Sequence, residues 1–134
     1  MQTSKHQLPY SSPIFHGDKA GRTIGFPTIN LDPTIIPQNT TPGVYAAQVQ
    51  LTGKNYLGAL YFGPRLVKGE THNVLEIFIL DFSQEIYGET AQFSILQFVR
   101  PVMDFSSLEE LKSQLQKDIA AVRTTTQANS VSKN

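Results

Sequence analysis

Thr28 and Asn30 stand two residues apart behind Pro27, and both end in neutral oxygens of the kind a hard cation takes as ligands. Just ahead of them lie Gly17, Gly21 and Gly25, interleaved with the basic residues Lys19 and Arg22. Glycines let a backbone turn tightly and approach a ligand closely, and the two cations suit phosphate oxygens. The third feature comes much later. Glu76 sits in the apolar run Val74 to Phe82, where strand alternation groups it with Val74, Phe78 and Leu80, and sets Leu75, Ile77, Ile79 and Asp81 on the other face. A carboxylate among large apolar side chains is costly unless paired, hydrogen-bonded or at the rim of a cavity, and such a setting favours a general base. Taken singly, the glycines also fit a surface hairpin and Glu76 fits a strand end that reaches water. Together they serve phosphoryl transfer: the loop positions phosphates, the cation offsets their charge, and the carboxylate accepts a proton from an attacking hydroxyl.

The elements that must hold these groups are mostly strands. The first dozen residues are polar and proline-interrupted and predict a loosely ordered arm, residues 1–13, leading into a short strand from Ile14 to His16. Pro33, Pro37 and Pro42 make the segment after Leu31 a connection. Val44 to Thr52 alternates, with Tyr45, Ala47, Val49 and Leu51 on one side, and Thr52 to Asn55 turns into a second strand, Tyr56 to Phe62. Val74 to Phe82 is the strongest strand, and Thr90 to Val99 pairs back with Ala91, Phe93, Ile95 and Val99 on one face. The period then changes. Leu108, Leu111, Leu115, Ile119 and Val122 recur at helical spacing, Ser107 and Glu110 form a capping box, and residues 124–134 read as a disordered tail. Closely spaced strands followed by one helix predict a small mainly β barrel, residues 14–123, with the helix laid against it.

Composition closes off other chemistry. A chain of 134 residues has the size of one domain. It has no cysteine, which excludes a disulfide scaffold, a thiol nucleophile and a cysteine zinc site, and His6, His16 and His72 have no metal-site spacing. Eleven basic residues balance 11 acidic ones, so no global field recruits nucleic acid or an anionic membrane. Neither a signal peptide nor a membrane-spanning run is present, and the expectation is a cytoplasmic monomer with no nucleic-acid or membrane partner. There is no GxxxxGK(S/T) loop, the glycines have the wrong spacing for a Rossmann fingerprint, and no GxSxG elbow occurs.

The run Gly17-Asp18-Lys19-Ala20-Gly21-Arg22-Thr23-Ile24-Gly25-Phe26-Pro27-Thr28-Ile29-Asn30 resembles the signature of the ATP-dependent riboflavin kinase (flavokinase) family, G-D-G-R-G-R-x-L-G-F-P-T-A-N. The resemblance continues through Gly43 to Ala46, Gly58 to Pro64, Asp81-Phe82, Ile86 to Glu89, Val99 to Pro101, Phe105, and Ser107 to Asp118. It implies a six-stranded antiparallel Greek-key barrel with a C-terminal helix, transferring the γ-phosphate of ATP to the ribityl 5′-hydroxyl of riboflavin to give FMN and ADP. It also implies Thr28 and Asn30 as ligands of Mg2+ and ATP, a glycine-rich cover over the nucleotide made by Gly17, Lys19, Gly21, Arg22 and Gly25, and Phe82 on the nucleotide side. Arg100, Phe105, Leu108 and Leu111 fall on the flavin side. From the residues alone, Arg100 reads equally as a strand-end ion pair, and the three apolar residues as helix-to-barrel packing.

Two glutamates compete for the base. Glu70-Thr71-His72 looks like the family's E-x-H segment, but the family's catalytic Glu precedes the Asp of D-F by five residues and the Tyr of Y-G by eleven, which selects Glu76. The family's His then falls on Phe78. Lys19, Ala20 and Ile29 are further departures, on the usual Gly, Arg and Ala. Bacterial members are often fused behind an FMN adenylyltransferase module, and FAD synthesis is not expected from this sequence. A barrel that binds flavin or nucleotide without catalysis is the alternative, although a pure binder needs neither the Thr28-Asn30 pair nor a base.

Overall fold

In a computed structural model the protein is described over residues 8–15, 26–64, 72–82 and 88–132, with side chains as far as residue 125. Among the described residues six strands form one antiparallel sheet: β1 (Tyr10–Pro13), β2 (Ile29–Leu31), β3 (Gly43–Leu51), β4 (Lys54–Pro64), β5 (Asn73–Ile79) and β6 (Thr90–Pro101). Their spatial order is β1-β6-β3-β4-β5-β2. The edges of that order meet. Beyond β1, the Phe15 N–H donates to the Asn30 carbonyl at 2.9 Å, so the chain that leaves one edge strand pairs with the other and the sheet curls into a nearly closed barrel.

The hairpin between β3 and β4 turns on two residues, Thr52 and Gly53, with φ of 48° and 82°. Both being positive, this is the primed turn whose twist suits a hairpin, and it is tighter than the four residues expected. Alternation then fills the interior with Tyr45, Ala47, Val49 and Leu51 from β3, Leu60 and Phe62 from β4, Leu75, Ile77 and Ile79 from β5, and Ala91 and Phe93 from β6. Gly58 faces the same interior. A Cβ there would lie 2.5 Å from Cγ2 of Ile77, so the bulk that fills the barrel at this level comes from its neighbours.

The sequence-based alternation fails along β6 at Val99. Register shifts opposite Val44/Tyr45 and Ala46/Ala47 insert extra residues, and Val99 turns to the outer face while Phe98 stands opposite Tyr45. On that outer face Ala46, Leu80 and Val122 are buried, with Leu57, Ala59, Phe78, Val99 and Ile119 packed against them. Val122 and Ile119 belong to the helix α1 (Leu108–Ser132), which lies over the outside of β3, β4 and β6. The helix opens at Ser107, whose hydroxyl accepts the Glu110 N–H at 3.1 Å, while the Glu110 carboxylate takes the N–H of Ser106, one residue upstream of the partner a capping box predicts.

Several boundaries differ from expectation: β5 ends at Ile79 and not Phe82, because the chain turns at Leu80 and Asp81, and the first strand precedes Ile14. Tyr10–Pro13 is a paired strand and not an arm, because β1 is an edge that needs hydrogen bonds on one side only and so accepts Pro13. The helix continues past Arg123 to Ser132, where a disordered tail was expected: no Gly or Pro between Thr124 and Ser132 stops the backbone. Among the described residues no helix is long and apolar enough to cross a membrane.

Candidate active site

Glu76 occupies the middle of β5, between Leu75 and Ile77, which point into the barrel. It therefore projects from the outer wall, half-buried, on the face that carries Phe78, whose ring meets Phe26 edge-on at 5.5 Å. Its neighbours are fixed by register. Asn30 stands directly opposite on β2 and Tyr61 directly opposite on β4. Thr28, just before β2, donates its hydroxyl hydrogen to Oε1 of Glu76 at 3.3 Å. Thr28 and Asn30 are two residues apart, the spacing that puts side chains of extended chain on one face, and both lie beside Glu76.

The row continues across the sheet. Tyr61 is opposite Val44 on β3, and Val44 is opposite Arg100 on β6. Strands lie about 4.8 Å apart, so Glu76 and Arg100 are three strand spacings apart, about 14 Å measured along the curved outer face. Arg100 is held firmly: its Nε and Nη2 donate to the two oxygens of Asp118 at 2.8 Å each, and Nη1 donates to the Pro101 carbonyl at 3.1 Å. Asp118, 1% exposed, also accepts from Gln114 Nε2 at 3.0 Å, so its lone pairs are well used. The Arg100 Cζ lies over the Phe105 ring, 5.8 Å from its centre. Beyond it Leu108 is 52% exposed and Leu111 half-buried, because only the C-terminal part of the helix stripe is pressed onto the barrel.

Charge along the row is shared. Burial pushes the Tyr61 phenol above its ordinary pKa, the Glu76 carboxylate pushes it further the same way, and Arg100 opposes them. Among the described residues no cluster of three acidic, His or Cys side chains could hold a metal by itself. The Thr28 hydroxyl and the Asn30 amide oxygen are neutral oxygen donors beside the Glu76 carboxylate, and they suit a Mg2+ ion that keeps phosphate oxygens and water as its remaining ligands.

A family model described as Flavokinase, riboflavin kinase, matches residues 4–126. The chain belongs to the riboflavin kinase family. A bifunctional riboflavin kinase/FMN adenylyltransferase of Listeria monocytogenes is 41% identical over 116 residues, which cover 82% of this chain and 36% of that protein. This chain thus spans little more than a third of the curated relative's length. Among solved structures, one titled macrolide-efflux protein from Streptococcus pneumoniae superposes with a TM-score of 0.71 at 32% identity, over 87% of this chain and 38% of the other. The riboflavin kinase of Trypanosoma brucei gives 0.63 at 23% identity, over 87% and 78% of the two chains, a likeness of fold.

Seen as a riboflavin kinase barrel, the chain brings Thr28, Asn30 and Glu76 together at one end of the row and Arg100 and Phe105 at the other. Phe82 is elsewhere: it lies past the end of β5, with its ring edge-on to Tyr56 at 5.0 Å. Gly17, Lys19, Gly21, Arg22 and Gly25 lie outside the described residues, as does Glu70. Two residues of the row escaped the sequence reading. Asp118 falls three positions after Leu115 and four before Val122, on the packed side of the helix, and that spacing alone would have flagged a buried carboxylate in need of a cation. Tyr61 was one more apolar letter in a strand until pairing set it beside Glu76.

Proposed function

We propose that this chain is a riboflavin kinase that transfers the γ-phosphate of ATP to the 5′-hydroxyl of riboflavin, giving FMN and ADP. The observation that carries the reading is the meeting of Thr28 with Glu76, which sets a carboxylate within reach of the residues suited to phosphate and metal. In this reading Glu76 accepts the proton of the ribityl hydroxyl as that oxygen forms its bond to the γ-phosphorus and the bond to the ADP oxygen breaks. Thr28 and Asn30 orient the phosphates and would hold Mg2+, which when bound offsets charge on the phosphate oxygens. Arg100, Phe105, Leu108 and Leu111 take the flavin side, with the Arg100–Asp118 pair fixing the helix that carries the last two. Gly17 to Gly25 acts as the nucleotide's cover, and Phe82 is assigned to the nucleotide side by resemblance. The enzyme works as a cytoplasmic monomer without nucleic-acid or membrane partners.

Incubation with riboflavin, ATP and Mg2+ tests this: FMN should accumulate, and omission of Mg2+ should abolish it. Saturable quenching of riboflavin fluorescence with no FMN at any time would instead establish a binding barrel without catalysis.

A further inference from the structure

Between the two ends of the row lies one large side chain without an assigned task, Tyr61. Its phenol hydroxyl donates to the Pro64 carbonyl, three residues along the same strand. A Cβ placed on Gly63 would come within 3.0 Å of the phenol oxygen and 3.2 Å of its Cζ, so the ring is laid along β4 over the bare backbone of Gly63. Val102 closes in on the same glycine, at 3.2 Å from that Cβ position. One side of the ring is thereby used up against the sheet. Tyr61 is nonetheless only half-buried, and it projects from the outer face of β4, since its strand neighbours Leu60 and Phe62 fill the interior.

The surroundings specify what would lie there. On one side stands Glu76, and on the other, across Val44, stands Arg100 with Phe105 over its guanidinium. Both charges are close enough to act on the phenol, in opposite directions. Any molecule that places a hydroxyl at Glu76 and a planar apolar group at Phe105 has to cross Tyr61. The ring is already immobilised by the Pro64 bond and the Gly63 floor, so little rotamer freedom is lost when a ligand covers it.

We propose that Tyr61 is an acceptor-positioning residue, the floor on which riboflavin lies between the proton-accepting carboxylate and the Arg100–Phe105 end. This rests on the kinase reading above and adds a specificity element to the acceptor half of that site. The ring carries the effect through its flat face, and the hydroxyl serves to hold the ring.

The full chain carrying Tyr61→Leu or Tyr61→Phe is compared with the unaltered protein for riboflavin Kd by fluorescence quenching, for the KM of riboflavin and of ATP, and for thermal melting. Tyr61→Leu should raise the riboflavin Kd and KM by about tenfold or more, the loss of one stacked ring. ATP KM should stay within roughly twofold, since an altered fold would move both substrates together. Tyr61→Phe keeps the ring and should stay within roughly threefold of the unaltered protein for riboflavin. The inference is overturned if Tyr61→Leu melts normally and keeps its riboflavin Kd, if both KM values rise together, or if the Phe and Leu variants lose equally. Should the Leu variant fail to fold, Tyr61→Trp decides: a larger platform must change riboflavin Kd with ATP KM unmoved, and an unchanged riboflavin Kd overturns the inference. If the unaltered protein makes no FMN, the kinase reading fails, while the quenching titrations still decide the role of Tyr61.

Discussion

The Thr28 hydroxyl donates to Oε1 of Glu76 at 3.3 Å although 48 positions separate the two residues in the chain. A strand of only three residues, β2, makes this possible by pairing with β5 in a register that sets Asn30 against Glu76. The bond orients the carboxylate while leaving its second oxygen to other partners, and the hydroxyl oxygen keeps lone pairs for a cation. The carboxylate proposed as proton acceptor and the residues proposed to hold phosphate are therefore fixed relative to each other by backbone pairing, and not by flexible side chains alone.

Thr28→Val removes that hydroxyl and nearly preserves volume. The KM for Mg-ATP should rise about tenfold or more, as expected for one lost bond to a charged group, while Thr28→Ser restores most of it. Steady-state kinetics with ATP varied at several Mg2+ concentrations measure the effect, and the variant's melting temperature should change little.

Asp118→Ala should be costly in a different currency. It leaves the Arg100 guanidinium, 12% exposed, without its carboxylate, a change that costs about 3 kcal/mol and lowers the melting temperature by about 10 °C. Replacing Arg100 and Asp118 together by Leu should recover part of that loss in calorimetry, because no unpaired buried charge remains.

How much of this was readable from the chain depended on whether a residue's role is local. The strands of β3 to β6, the helix stripe and the Pro27 to Asn30 tetrapeptide follow from short-range pattern, and the interior set Tyr45, Ala47, Val49 and Leu51 lies where alternation placed it. The burial of Leu75 and Ile77 decides that Glu76 faces outward, a choice that alternation within one strand leaves open. Val99 was misassigned because a bulge depends on the partner strand. Tyr61 gained meaning only through its pairing with Glu76, and β1 was missed because a polar edge strand carries little hydrophobic pattern.

Acid should weaken the fold through exposed carboxylates that are held below their ordinary pKa. Asp81 is lowered by the hydrogen bond and charge of Arg123, Glu110 by the N–H and side chain of Ser106, and Asp32 by the side chain and N–H of Thr34. In each the folded-state pKa is depressed, so the stabilisation is present above the unfolded values of 3.8 for Asp and 4.5 for Glu and is lost as pH falls through the lower folded values. Melting temperature followed from pH 6 downward should fall below about pH 4.5 for this reason. Asp81→Asn should shallow that acid slope, and high salt should shrink the difference between the two proteins.

Glu76→Gln tests the proposed role of Glu76 as acceptor of the hydroxyl proton with almost no change of shape. With Mg-ATP and riboflavin the variant should form FMN at least about a hundredfold more slowly than the unaltered protein, while riboflavin quenching remains saturable with a similar Kd. Near-normal turnover by a folded Glu76→Gln protein would contradict the account.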